Sequence, residues 1–189
     1  MLNEGSLAVF GHLGGGLQIN PGTTLSGTGT VGTTINSGNI HPGASIGTLN
    51  INGNFTQNAS GELLVELNDA GASDRLNISG IANLAGTLRL DVHPGVYLSG
   101  TEYSIITAAL VNGTFDNLLE NHPLDFAVQY FNNLVKIVIP ISEVILPVPT
   151  GTLKHNAKAV ASNLFCNGAI PTGDLLYVAR EILALAPNE

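Results

Sequence analysis

Four acidic side chains lie close together in the chain and could carry out acid-base chemistry. Glu62 and Glu66 are four residues apart, and Asp69 and Asp74 follow them. Two carboxylates about 5 to 10 Å apart are the usual catalytic pair of a glycoside hydrolase. On an extended strand, Glu62 and Glu66 would share one face about 13 Å apart, too far for this chemistry unless the strand bends. We interpret Asp69 and Asp74 as solvated loop charges.

Histidine and cysteine offer no further site. The histidines show no spacing typical of metal ligands, and they are His12, His41, His93, His122 and His155. His41 and His93 occupy the same place in two Pro-Gly phrases and are interpreted as turn residues. The single cysteine, Cys166, excludes an internal disulfide and is interpreted as a small buried side chain. No catalytic, cofactor-binding or metal-binding residue is assigned, and the sequence is predicted not to be an enzyme.

Composition restricts the classes of partner. The chain has 189 residues, 44% of them hydrophobic, which is enough for a buried core. Its formal net charge is -8 and it has no basic cluster. Nucleic acid and anionic lipid are therefore unsuitable partners, because both require Lys and Arg to neutralise phosphate. No charged residue lies between Glu4 and Glu62, which indicates a change of character near residue 60.

Hydrophobic alternation indicates the elements that position these residues. Period two is clear in "TLNIN", "LLVEL" and "GTLRLDV", and it predicts short strands with alternate residues facing inward. The predicted inward residues are Leu49, Ile51, Leu63, Val65, Leu67, Leu76, Ile78, Leu88 and Leu90. Glu62, Glu66 and Arg89 should face outward. Solvent-facing Thr, Ser and Asn should hydrogen-bond with like residues in neighbouring strands.

A weak repeat suggests how the strands stack. Residues 19 to 39 can be laid over residues 40 to 60 at an offset of 21 residues, and the Pro-Gly phrase returns at 92 to 95. Short strands with a period of this length are typical of a solenoid. The sequence therefore predicts an all-β fold, a right-handed parallel β-helix, with a β-sandwich as the alternative.

Four regions follow from these patterns. Residues 1–61 are predicted to form Gly/Thr/Asn-rich coils, and residues 62–139 the end of the β-helix with a hairpin-like cap that turns at Asn132 and Asn133. Residues 140–153 contain three prolines and are predicted to be a linker. Residues 154–189 show helical periodicity and are predicted to form two short helices, too short to span a membrane.

The order of these segments resembles the C-terminal passenger of Gram-negative type V autotransporters, upstream of the outer-membrane β-barrel. The residues that carry the resemblance read "TLSGTGTVGTTINSGNIHPGASIGTLNINGNFTQNASGELLVEL" and "SDRLNISGIANLAGTLRLDV", then "YSIITAALVNGTFDNL", "NAKAVASNL" and "GDLLYVAREILALAPNE". They span nearly the whole chain. The chain itself contains neither a signal segment nor a barrel, so the resemblance implies a piece of a longer protein.

The resemblance implies a function and a location. It implies a protein exported through the periplasm to the cell surface, with its own C-terminal β-barrel in the outer membrane as partner, no cofactor, and an autochaperone-like region at residues 62–139. We therefore expect a non-catalytic passenger segment that acts as a stacking template. The alternatives are an adhesin that binds a host surface or glycan, and a glycan-cleaving β-helix enzyme.

Overall fold

The structure is a computed structural model that describes residues 1–141. These residues form sixteen strands and no helix. The strands are β1 (Ser6–Ala8), β2 (His12–Leu13), β3 (Leu17–Ile19), β4 (Thr24–Gly27), β5 (Thr30–Asn36), β6 (Asn39–Pro42), β7 (Thr48–Gln57), β8 (Glu62–Leu67), β9 (Arg75–Ile78), β10 (Ile81–Leu84), β11 (Thr87–Val92), β12 (Glu102–Thr107), β13 (Leu110–Gly113), β14 (Asn117–Glu120), β15 (Ala127–Phe131) and β16 (Leu134–Val138). Apart from its first two residues, the predicted linker lies outside the described residues, as do both predicted helices and Cys166.

The strands form two sheets, and parallel pairing dominates in both. The smaller sheet has the order β1-β4-β6-β8-β11-β14, and every adjacent pair in it is parallel. In the larger sheet, the first half of β7 pairs with β9 and the second half with β10, again in parallel. The all-β prediction with parallel strands is confirmed. The finer assignment to a right-handed β-helix stays a prediction.

An antiparallel hairpin closes one end of the larger sheet. β16 pairs with β12 on one side and with β15 on the other, and both pairings are antiparallel. Asn132 and Asn133 form the turn between β15 and β16, as the sequence predicted. The edge of β12 that would otherwise be unpaired is thereby covered.

The core lies between the sheets and follows the predicted alternation. All nine predicted inward residues are buried, with exposed fractions of 5% or less. Glu62, Glu66 and Arg89 alternate with them on the outer side. The period of two along each strand therefore identified the correct face.

Polar side chains also form ladders across strands, but not all of them face solvent. On the outer face, Asn77 donates to Asn50 (3.4 Å) and Asn112 donates to Asn83 (3.1 Å), as predicted. Two amides instead point inward. Asn36 is fully buried and donates to Gln57, which is 1% exposed.

The 21-residue repeat is only partly reflected in the structure. The offset of 21 does appear between β5 and β7, where Thr34 pairs with Phe55 and Asn36 with Gln57. The Pro-Gly phrases are not equivalent. The phrase at 19–22 follows β3 in the larger sheet, whereas those at 40–43 and 92–95 coincide with the ends of β6 and β11 in the smaller sheet.

Candidate functional site

A cavity of about 220 Å³ lies where β6 ends and the chain turns toward β7. It combines apolar and ionisable walls. The lining residues are Phe10, Ser26, His41, Pro42, Gly43, Ala44, Ser45, Leu64, Glu66 and Asp74. No Lys or Arg lines it, so its charge is negative or neutral.

Residues on three strands of the smaller sheet, β4, β6 and β8, form the outer wall of the cavity. Ser26 on β4 is the register partner of His41 on β6. Ile40 pairs with Leu63 on β8, which places Leu64 next to His41 on the outer side. Because successive residues alternate between the faces, Glu66 lies on the same outer face as Leu64.

Asp74 enters the cavity from the corner before β9, and it is not the solvated loop charge that we expected. It is 1% exposed. Its Oδ1 accepts a hydrogen bond from the Gly47 N–H (2.8 Å) and its Oδ2 accepts one from the Glu66 N–H (3.0 Å). Asp74 shares the parity of Leu76 and Ile78, so continuing the alternation backward from β9 would have predicted an inward side chain.

The turn from 43 to 47 is closely fitted around this carboxyl group. Gly43 has a φ of +89°, which favours glycine. A Cβ on Gly43 would collide with the backbone oxygen of Ser45 and would lie 2.9 Å from Oδ1 of Asp74. Glycine at this position therefore permits both the turn and the buried acid.

Burial changes the proton affinity of the ionisable groups. Loss of water raises the pKa of Asp74 to about 7, and the charge of Glu66 acts in the same direction, although both backbone N–H donors oppose the change. Burial lowers the pKa of His41, against the opposing charges of Glu62 and Glu66. Burial therefore disfavours the charged form of the His41 imidazole. Oε2 of Glu66 is buried and has no hydrogen-bond partner.

The assignment of no catalytic residue overlooked one serine-hydrolase pattern in the sequence. Residues 43 to 47 read Gly-Ala-Ser-Ile-Gly, which has the G-x-S-x-G spacing of a nucleophile elbow. Ser45 lines the cavity with His41 and has a φ of 156°, a value that side chains rarely adopt. The elbow normally joins a strand to a helix, whereas this turn joins β6 to β7.

The cavity brings together the residue types of a hydrolase without the contacts that activate them. Within residues 1–141, no hydrogen bond joins the ring of His41 to Ser45 or to either carboxylate, so no nucleophile–base pair is formed. Glu66 and Asp74 are two carboxylates that line one cavity, and glycan cleavage also uses two carboxylates. Both oxygens of Asp74 are, however, bonded to backbone N–H groups. Among the described residues, no group of three His, Cys, Asp or Glu could hold a metal ion.

The other two acids from the sequence analysis lie apart from the cavity lining. Glu62 accepts two hydrogen bonds from the guanidinium of Arg89, at 2.9 and 3.0 Å. Asp69 accepts one from the Val96 N–H (3.1 Å) in a neighbouring loop. Of the four acids, the structure therefore brings together Glu66 and Asp74. His93 lies after β11, outside the cavity lining.

Comparison with known proteins gives one informative similarity. No protein-family model matches the chain. The chain is 28% identical over 173 residues to a Serratia marcescens protein named extracellular serine protease. The match covers 85% of this chain but 16% of that protein, so the chain spans a small part of its relative. Within the described residues there is no helix long and apolar enough to cross a membrane.

This similarity corrects one prediction. The sequence was predicted not to be an enzyme, but the relative is named as a serine protease. The relative's name points toward an enzyme, and among the described residues the cavity lined by Ser45, His41 and two acids has the residue types nearest to that chemistry.

Proposed function

We propose that the chain is a segment of an exported passenger of the autotransporter type. In this proposal residues 1–141 form a right-handed parallel β-helix, and the part from residue 62 onward is the template on which the earlier strands stack. The similarity to an extracellular protease is compatible with a secreted or surface-exposed passenger. We further propose an outer-membrane β-barrel, in the same longer protein, as its partner.

The observation that carries the proposal is the difference between the two ends of the larger sheet. At the late end, the hairpin β15–β16 covers β12 with antiparallel pairing. At the early end, the outermost strands are β2 and β3, with two and three residues, each paired to β5 on one side. A stacked fold needs one end whose edge is capped, so that new strands can be added at the opposite, open edge. The hairpin supplies such an end.

Glycine content supports the same direction of assembly. Strand length does not distinguish the two parts in this direction, because β5 and β7 in the earlier part have seven and ten residues and the longest later strands have six. The earlier part contains more glycine, which loses more backbone entropy on folding. The later part therefore loses less backbone entropy per residue when it folds.

The test is to fold the two parts separately. We expect a fragment of residues 62–141 to unfold cooperatively with a dispersed NMR spectrum, and a fragment of residues 1–61 to be unfolded alone. Joining them should restore the spectrum of the early part. A folded 1–61 fragment beside an unfolded 62–141 fragment would reverse the direction of templating and contradict the proposal.

A second candidate function is serine protease activity of the whole protein, and the relative's name favours it. A fluorophosphonate probe tests whether the cavity contributes. If it does, the probe should label Ser45, and both Ser45→Ala and His41→Ala should abolish labelling, while Ser60→Ala should not. If the chain is not labelled, the cavity is not a serine-hydrolase site.

A further inference from the structure

We propose that Asp74 and Glu66 share one proton in the cavity, and that this proton strengthens the junction between the 43–47 turn and the corner between β8 and β9. Loss of the proton would loosen the junction. The cavity would thus make the attachment of the early strands to the later ones sensitive to pH. The pair would exist whether or not the chain is an exported passenger.

The junction depends on one buried carboxyl group. The side chain of Asp74 accepts an N–H bond from Gly47 in the turn and another from Glu66 on β8. The backbone continues the same contacts, because Arg75 N–H donates to Gly47 O and Asp74 N–H donates to Glu66 O, both at 2.8 Å. Asp74 therefore joins two chain segments that are 19 residues apart, Gly47 and Glu66.

A second carboxyl group in the same cavity makes this arrangement dependent on a proton. Two carboxylates that share a water-poor site repel each other, so one of them holds a proton to a higher pH than usual. Oε2 of Glu66 is buried without a partner, and Glu66 lines the same cavity as Asp74 and raises its pKa through its charge. One shared proton would therefore satisfy an unpaired oxygen and remove one negative charge.

The charged groups around the pair do not neutralise it. His41 on β6 lines the cavity, and burial disfavours its charged form. Asp91 on β11 is the register partner of Glu66 and adds negative charge, although it accepts a hydrogen bond from Asn121 (2.6 Å). Two arginines are near the pair. Arg75 follows Asp74 in the chain and is exposed, and Arg89 lies on β11, which pairs with β8, and is hydrogen-bonded to Glu62. A proton is thus the available positive charge.

The direction of the pH effect follows from the pKa of Asp74. Its folded pKa of about 7 lies above the ordinary value of 3.8, so the folded form binds the proton more tightly than the unfolded form. The resulting stability is fully present below about pH 4 and is lost as the pH rises through about 7. His41 acts oppositely, because its folded pKa is lowered; its contribution is lost as the pH falls below 6.5. Because the two effects oppose each other between pH 6 and pH 7, the carboxyl pair is best followed at the carboxyl carbon of Asp74 itself.

The test uses NMR of the whole chain. The carboxyl carbon of Asp74 and the amides of Gly47 and Glu66 should titrate together with a midpoint near pH 7. If the opening that allows exchange exposes Asp74, protection of the two amides, corrected for the intrinsic rate, should fall between pH 6 and pH 8, by about tenfold from Asp74 alone and by less if the same opening exposes His41. A midpoint below pH 5 in the wild-type chain would overturn the proposal, and this result does not depend on any variant folding.

Two variants sharpen the test. Glu66→Gln keeps the backbone N–H that donates to Asp74 but removes the second charge, so the Asp74 midpoint should move down. Asp69→Asn is the matched control, because Asp69 also accepts a backbone N–H in a turn but lies outside the cavity lining; it should leave the midpoint unchanged. An Asp74 midpoint that is the same in Glu66→Gln and the wild type would show that no proton is shared.

Discussion

Replacing Ile137 with alanine should lower the free energy of unfolding by about 4 kcal/mol, because the change removes buried methyl and methylene groups and leaves a cavity. Ile137 is fully buried on β16. It pairs with Tyr103 on β12 and with Val128 on β15, so it joins the hairpin to the rest of the sheet. Urea denaturation followed by circular dichroism measures the loss.

The matched control for this change is the neighbouring residue. Lys136→Ala removes an ion pair with Glu102 (2.6 Å) on the outer side of the same strand. Partly exposed ion pairs contribute less than about 1 kcal/mol, so this variant should be close to the wild type. Equal losses in both variants would mean that the hairpin does not act through its buried face.

A second large loss is expected for Gln57→Ala, at about 3 kcal/mol. The Nε2 of Gln57 donates to the carbonyl oxygens of Gly61 (3.3 Å), Ala85 (3.0 Å) and Thr87 (3.0 Å). Its Oε1 also accepts from Asn36 (3.3 Å). Truncation would remove four buried hydrogen bonds at once. Gly61 O and Asn36 Nδ2 keep other partners, in the Thr87 N–H and Glu62 O, so the loss comes mainly from the bonds to Ala85 O and Thr87 O, at about 1 to 3 kcal/mol for each buried polar group left unpaired.

The control for Gln57 lies one residue earlier. Thr56 faces outward on β7, where its hydroxyl accepts a 3.4 Å hydrogen bond from Asn83. Thr56→Ala should change the free energy of unfolding by about 0.5 kcal/mol, as is usual for surface substitutions. If Gln57→Ala were equally mild, water would be replacing its bonds, and the interior amides would not be structural.

The sequence predicted the apolar core better than the polar interior, and the reason is physical. Burial of Leu63, Val65 and Leu67 follows from alternation alone, because the pleat sends every second residue to the same side. The same rule places Asp74 inward with Leu76, but a charged residue before a strand is usually solvated. The backbone N–H groups of Gly47 and Glu66 that stabilise Asp74 come from distant segments. No pattern along the chain reveals them.

The candidate site could not be predicted for the same reason, because it depends on contacts between segments that are separated in the sequence. The Gly-Ala-Ser-Ile-Gly pattern could be found in the sequence, but its meeting with His41, Glu66 and Asp74 depends on strand register. The repeat gave one correct offset, between Thr34 and Phe55, yet it also equated Ile19 with Ile40, which lie in different sheets. Periodicity identifies which face a residue occupies, whereas pairing decides what it meets.

Hydrogen exchange along the whole chain tests the templating claim most directly. If residues from 62 onward are the template, amides in β8, β11, β12 and β16 should exchange only through an opening whose free energy is close to that of global unfolding. Amides in β4, β5 and β6 should exchange through an opening of lower free energy, because a stacked fold need not open as one unit. Uniform protection across both parts, or stronger protection before residue 60, would contradict the account.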